Sequence, residues 1–350
     1  MNAAAAAILG VTVGAVIARQ LLQRGPPVWV MFLAGAFAMV AAGALPLAGA
    51  SAAISSNLPI LIFLFALFLF AAGLEQAGAL DHLARWILGR AKGPADVPFV
   101  LFVAFAVLSA FILNDALVLV GVPLLFSVAR RMHVSAEPLL LTLAFSVTVG
   151  SMLTPFGNPQ NLLVSLGSGI GSPVATFLRY LALPTAVNIV LGGYYLRRVY
   201  GRRLAQQAEQ NHAPAVSPVP FFPGGEVLPL LRQFPVVLLF PVTMLAVVSV
   251  DITSAVTSGP AVPLYAIALG GAVATLLVSP GRSAMFNRVE WSILVLFAAL
   301  FVVVAGAVQG GVLSAIESFV PVPGPGQPGP ALGAILLTSV GGSQLVSNVP

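Results

Sequence analysis

The sequence predicts an all-α polytopic membrane protein, an inverted-topology repeat with re-entrant hairpins and a broken transmembrane helix. Three observations carry this prediction. Hydrophobic residues make up 59 % of the 350 and charged residues 7 %, against about 25 % charged in a soluble domain. The apolar runs are long enough for helical spans rather than barrel strands. Basic residues fall between those runs so unevenly that they set an orientation. The composition also excludes several classes. Without cysteine there is no disulfide, thiolate metal site or cysteine nucleophile. The three histidines, His82, His133 and His212, form no ligand-like cluster. The net charge of +5 resides in short loops between spans, so a lipid bilayer, not a nucleic acid, is the expected partner, and no cofactor is expected.

Candidate spans lie at 3–18, 28–45, 58–74, 138–165, 181–196, 234–250, 263–279 and 291–308, with the run 97–129 set apart. No basic residue precedes the apolar stretch of "MNAAAAAILGVTVGAVIARQ", which reads as a first span and not a cleaved signal peptide. With the N-terminus outside, the cytoplasmic loops collect Arg19 and Arg24, then Arg85, Arg90 and Lys92, then Arg130 and Arg131. Arg197, Arg198, Arg202, Arg203 and Arg232 flank the central linker, and Arg282 and Arg288 precede the last span. Only Arg179 falls outside. This predicts a multi-pass inner (plasma) membrane protein with a cytoplasmic linker. Between Glu75 and Lys92, Leu80, Leu83, Ala84, Ile87 and Leu88 recur at helical spacing, which predicts a short amphipathic helix on the cytoplasmic interface with His82 on its polar side.

The charge balance holds only if 97–129 begins and ends on the cytoplasmic side. Its 33 residues are too few for two full spans, which need roughly 40 plus a turn. A single span would put Lys92 and Arg130 on opposite sides. A hairpin with two arms of about 15 residues, each about 23 Å long, meets both conditions, with its tip at Leu113-Asn114-Asp115. One long tilted helix is the alternative. Asp115 is an acid deep in the membrane, where such residues mark ion or proton pathways. It can carry a proton, balance a cation or cap the second arm.

Segment 68–80, "FLFAAGLEQAGAL", pairs with 301–313, "FVVVAGAVQGGVL", at an offset of 233. Ala72-Gly73 matches Ala305-Gly306, Gln76 matches Gln309 and Gly78 matches Gly311. The same offset carries the first two spans onto those at 234–250 and 263–279, and Asn114 to within one residue of Asn348. The matched spans run in opposite directions, the pattern of an inverted repeat. The predicted organisation is a first repeat at 1–203, holding the hairpin 97–129 and the broken helix 138–165, a proline-rich cytoplasmic linker at 204–233, and a second repeat at 234–350. A second hairpin starts near Ala331 and carries Ser347-Asn348 at its tip. Counterparts of the broken span and of the last span of the first half are expected beyond Pro350, in a longer reading frame or lost from a naturally shortened gene.

In "FSVTVGSMLTPFGNPQNLLVSLG", Pro155 ends the helix, and Gly157 and Pro159 keep it from resuming at once. Carbonyls freed near the bilayer centre must line a protected cavity or bind something, because exposure to lipid costs several kcal/mol each. Together with Thr154, Asn158 and Asn161 they suit a desolvated cation such as Na⁺. Asn114, Thr154, Gly157 and Asn158 are the candidate Na⁺ ligands. The restarting half-helix near Gln160-Asn161 offers free amides to an anion.

The residues "GLEQAG" (73–78), "LND" (113–115), "GSMLTPFGNPQNLLV" (150–164) and "SNVP" (347–350) resemble the ion transporter superfamily, nearest its citrate-transporter-like and arsenite-permease-like branch. Na⁺/H⁺ antiporters and dicarboxylate:sodium symporters are more distant relatives. The resemblance implies a scaffold part and a transport part, one hairpin and one broken helix per half, and a homodimer with an elevator-like motion. Sodium-coupled carboxylate carriers of this kind carry Ser-Asn-Thr at both tips. Leu-Asn-Asp and Ser-Asn-Val stand here instead, which leans toward the arsenite-permease-like branch. The expected function is secondary active transport of a small anion or metalloid oxyacid coupled to Na⁺ or H⁺, through Asn114, Asp115, Ser151, Thr154, Gly157, Asn158, Gln160, Asn161, Ser347 and Asn348. A Na⁺/H⁺ antiporter without organic substrate is the alternative. An enzyme is not expected: Asp251, read as lying in an outer loop, leaves no facing pair of acids, and no intramembrane histidine could serve a serine nucleophile.

Overall fold

A computed structural model describes residues 2–79, 90–211, 227–257, 262–317 and 328–346, and all regular elements among them are helical. α1 (Ala3–Leu22), α2 (Val28–Ala41), α3 (Leu47–Ser56) and α4 (Leu58–Gln76) come first. α5 (Val97–Ser109), α6 (Asn114–Arg131), α7 (Glu137–Gly150), α8 (Pro159–Gly167) and α9 (Pro173–Gln210) follow. α10 (Val227–Thr257), α11 (Leu264–Val278), α12 (Arg282–Asn287), α13 (Trp291–Gln309), α14 (Val312–Glu317) and α15 (Pro328–Val346) come last. By length and composition α1, α4, α9, the Pro235–Thr257 part of α10, and α13 can each cross a bilayer, and shorter apolar helices accompany them. The chain is an all-α multi-pass membrane protein.

Two compact units form, one from 1–61 with 290–350 and one from 62–289. In the first, α13 packs on α2 and α3 while α1 lies along α2. Met39 and Val303 are fully buried there. Gly306 lets α13 approach α2 so closely that a Cβ would stand 2.8 Å from Met39 Sδ. In the second unit α4 lies against α10, α11 and α12. A Cβ at Gly73 would stand 3.1–3.3 Å from Met285, Thr275 and Val236, and the rings of Phe70 and Phe240 meet edge-on at 5.4 Å. Gly73 and Gly306, matched by the 233-residue offset, thus each admit a close helix neighbour. In each unit the third long span of one sequence half sits with the first two spans of the other half.

Also in the second unit, α5 packs on both α7 and α9, which touch each other as well. Gly192 and Gly193 bring α9 onto Phe102 and Phe99, to 2.7 and 3.0 Å from a notional Cβ. Both outer ends of the α5–α6 pair are tied to one end of α9. Before α5, Asp96 pairs with Arg197 at 2.7 Å, and the carbonyl of Ala95 rests on Gly201. After α6, the amide of Ser135 donates to Gln207 Oε1 at 3.1 Å, and Asn211 Nδ2 donates to the carbonyl of His133 at 2.7 Å. Residues 197–211 of a helix span only about 21 Å. The chain therefore leaves and rejoins the same end of α9, as a hairpin does.

Some elements differ from the sequence reading. The predicted span 181–196 is the middle of a 38-residue helix, which absorbs the start of the predicted linker at 204–210. "RRLAQQAEQ" is rich in strong helix formers, and the contacts with 95–96 and 133–135 hold it. α10 likewise begins at Val227, seven residues early, despite Pro235 and Pro241. α3, α12 and α14 are short helices that long-span reasoning passes over. The amphipathic helix expected after Glu75 lies mostly at 80–89, outside the described residues.

Candidate functional site

The break in the α5–α6 pair, 110–113, and the break between α7 and α8, 154–158, meet. Gly150 is the closest point: a Cβ there would collide with the backbone of Ala106. Gly157 is as confined, with a notional Cβ 2.7 Å from the carbonyl oxygen of Ser109 and hard against Ser151. These two glycines let two backbone segments touch at the depth where each is interrupted.

Hydrogen bonds then cross between the breaks. The Asn114 amide N–H donates to the carbonyl of Gly157 at 3.3 Å. Thr154, 1 % exposed, donates its hydroxyl to the carbonyl of Ala110 and accepts from the amide of Phe156 at 3.2 Å. Ser109, fully buried, donates to the carbonyl of Val147 at 2.5 Å. One atom of the Asn114 side-chain amide stands 2.7 Å from Ser109 Oγ and 3.1 Å from the carbonyls of Val147 and Gly157. It faces acceptors only, so it is the nitrogen. The amide oxygen then faces Ser151 Oγ at 3.2 Å.

The second break also closes on itself. Asn158 is the N-cap of α8: its Oδ1 accepts from the amide of Asn161 at 2.7 Å, and Pro159 takes the first helical position, where no amide is missed. Asn158 Nδ2 donates to Ser151 Oγ at 3.1 Å. Asn161 Nδ2 bridges the carbonyls of Ser151 (2.9 Å) and Thr154 (3.1 Å). Phe156, 1 % exposed, stacks on Phe63 of α4 with ring centroids 5.1 Å apart and planes 9° from parallel. The polar groups that should be intolerable in an apolar bundle are mutually satisfied, as buried polar groups must be.

The structure thus brings together Asn114, Ser151, Thr154, Gly157, Asn158 and Asn161. Gln160 follows in the first turn of α8, partly buried. The side chain of Asp115, and Ser347 and Asn348, lie outside the described part of the chain. The described side chains of the knot are all neutral. Among the described residues no three His, Cys, Asp or Glu gather around a common point. Chemically, the knot offers carbonyl, amide and hydroxyl oxygens to a cation, and the amides of α8's first turn to an anion.

Two residues escaped the sequence reading. Ser109 is a lone hydroxyl inside an apolar arm, five residues before Asn114, and that isolation is its only signal. Asp251 is not in an outer loop. It sits within α10, 3 % exposed, and its Oδ2 accepts from the amide of Ala175 in the first turn of α9 at 2.9 Å. An acid that caps another helix shows no local pattern.

A family model described as "Citrate transporter" matches residues 13–350. The chain belongs to the citrate transporter family. Among curated proteins, a silicon efflux transporter of Oryza sativa subsp. japonica is 38 % identical over 116 residues, 33 % of this chain and 24 % of that protein. The inner membrane protein YbiR of Escherichia coli (strain K12) is 34 % identical over 110 residues, 31 % of this chain and 30 % of its own length. An uncharacterized transporter of Mycobacterium bovis is 24 % identical over 262 residues, 73 % of this chain and 57 % of that protein. The chain aligns with less than two thirds of the length of each. The family and two of these three relatives are named as transporters, and none is named as an enzyme.

Proposed function

We propose that the protein is a secondary active transporter of a small anion or metalloid oxyacid, coupled to Na⁺ or H⁺, and that the knot of Asn114, Ser151, Thr154, Gly157, Asn158, Gln160 and Asn161 is one half of its site. The observation that carries this reading is the meeting of two helix interruptions inside an apolar bundle, joined through neutral polar side chains. A lone kink would need no partner break. The family description, citrate transporter, and the rice relative's name, silicon efflux transporter, support a small solute as the substrate. In this reading Asp115 serves the coupling ion, and Ser347 and Asn348 contribute from the second repeat. The matched roles of Gly73 and Gly306 support two repeats of one design. The α5–α6 ends lie on the cytoplasmic side of an inner (plasma) membrane.

The test is flux of citrate, silicic acid and arsenite in proteoliposomes under Na⁺ and proton gradients. Asn158→Ala is expected to abolish flux while the protein still inserts and stays monodisperse. Flux equal to that of the unaltered chain would remove Asn158 from the site. Proton movement on sodium addition alone, lost in Asp115→Asn, would instead mark an antiporter.

A further inference from the structure

A second, smaller polar site lies elsewhere in the same unit, at the C-terminal turn of α4. Gly73, Gln76 and Ala77 of α4, Val236 of α10, and Ser279-Pro280 after α11 enclose a cavity of about 10 Å³, about the least that holds one water-sized sphere. The amide oxygen of Gln76 is buried there with no hydrogen-bond partner. Its amide nitrogen lies nearest Gly281, where a Cβ would collide with it and would stand 3.1 Å from the amide oxygen. Ser279, 4 % exposed, adds a hydroxyl oxygen that accepts from the amide of Gly281 at 3.3 Å. An orphaned buried acceptor costs roughly 1–3 kcal/mol unless something meets it.

The cavity therefore presents oxygens, and it lies where two helices end. α4 terminates at Gln76 and α11 at Val278, so the negative ends of both dipoles converge on it. Glu75 is beside it in sequence, paired with Arg288 at 3.0 Å. Both features favour a positive charge over a negative one. Gln309, which the 233-residue offset pairs with Gln76, is exposed, so the arrangement is not a packing rule common to both halves.

We propose that Gln76 Oε1 and Ser279 Oγ hold one small dehydrated monovalent cation, at a site separate from the helix-break knot. The proposal rests on this cavity and not on the transport reading. It is tested on the purified full chain in detergent by thermal unfolding, with NaCl exchanged for choline chloride at constant ionic strength. The expected result is a Na⁺-specific rise of about 2 °C at tenfold saturation. The rise should be lost or at least halved in Gln76→Leu and in Ser279→Ala, and the Gln76→Leu effect should persist in the Asn158→Ala background. An equal rise with and without Gln76, or none in the unaltered chain, would overturn it and leave a single buried water as the occupant. Flux measurements report on the knot, so the two readings fail independently.

Discussion

The two helix interruptions are made in opposite ways. The break at 154–158 is written in its own residues: Thr154 turns the chain, Pro155 and Gly157 prevent helix, and Asn158-Pro159 restart it. The break at 110–113, Ala-Phe-Ile-Leu, contains no proline, no glycine and no polar side chain. Nothing local forbids a helix there. Its backbone is accommodated by the other break, through Thr154 on the Ala110 carbonyl and the Gly157 carbonyl on the Asn114 amide. One segment is the template and the other the client. Damage to the template should therefore open both, and damage to the client's contacts should spare the template.

The largest effect is expected from Gly157→Ala, which forces a methyl group against the Ser109 and Ser151 backbones. Overpacking of this kind costs about 1–3 kcal/mol or more. Monodisperse protein and flux should both fall, with hydrogen exchange rising at 110–114 as well as at 154–158. Protection kept at 110–114 would break the template relation. Thr154→Val is next. It keeps shape but strips the donor from the Ala110 carbonyl and the acceptor from the Phe156 amide, costing about 1–3 kcal/mol, and exchange should rise at 110–114 and at Phe156. Asn161→Ala damages the template itself. It frees the carbonyls of Ser151 and Thr154, so exchange should rise around 151–158 and, more weakly, at the Asn114 amide, whose acceptor is the Gly157 carbonyl. Its cost should be about 1–2 kcal/mol, read from urea or thermal unfolding. The smallest effect belongs to Arg197→Ala at the hairpin's outer end. That ion pair is half exposed and is worth less than about 1 kcal/mol, diminishing with added salt.

The same contrast explains what was legible in the sequence. The 154–158 break shows directly in Pro155, Gly157 and Pro159, and the structure interrupts the helix there. The 110–113 break shows only through bookkeeping, since 33 residues between two basic ends cannot be two full spans. That bookkeeping placed the tip at 113–115, whereas the interruption comes at 110–113 and Asn114 already begins α6. The shift follows from Thr154 and Gly157, partners about 40 residues away that no local pattern reveals. Asn158 and Asn161 were legible as polar residues at a break, but their mutual cap and the bridge to Ser151 and Thr154 are tertiary facts. Ser109 and Asp251 were hidden for the same reason: each satisfies a backbone group on another helix. The extent of α9 is hidden because arginine-rich sequence resembles the end of a span, although arginine is a good helix former.

The most direct test uses the absence of cysteine in this chain. Lys92→Cys and Arg130→Cys, both at exposed positions, are made singly and labelled with a membrane-impermeant maleimide in right-side-out and in inverted vesicles. A hairpin whose tip rests on the broken helix predicts that both cysteines react in the same vesicle orientation and neither in the other. Labelling of the two from opposite orientations would make 97–129 a full crossing and contradict the account.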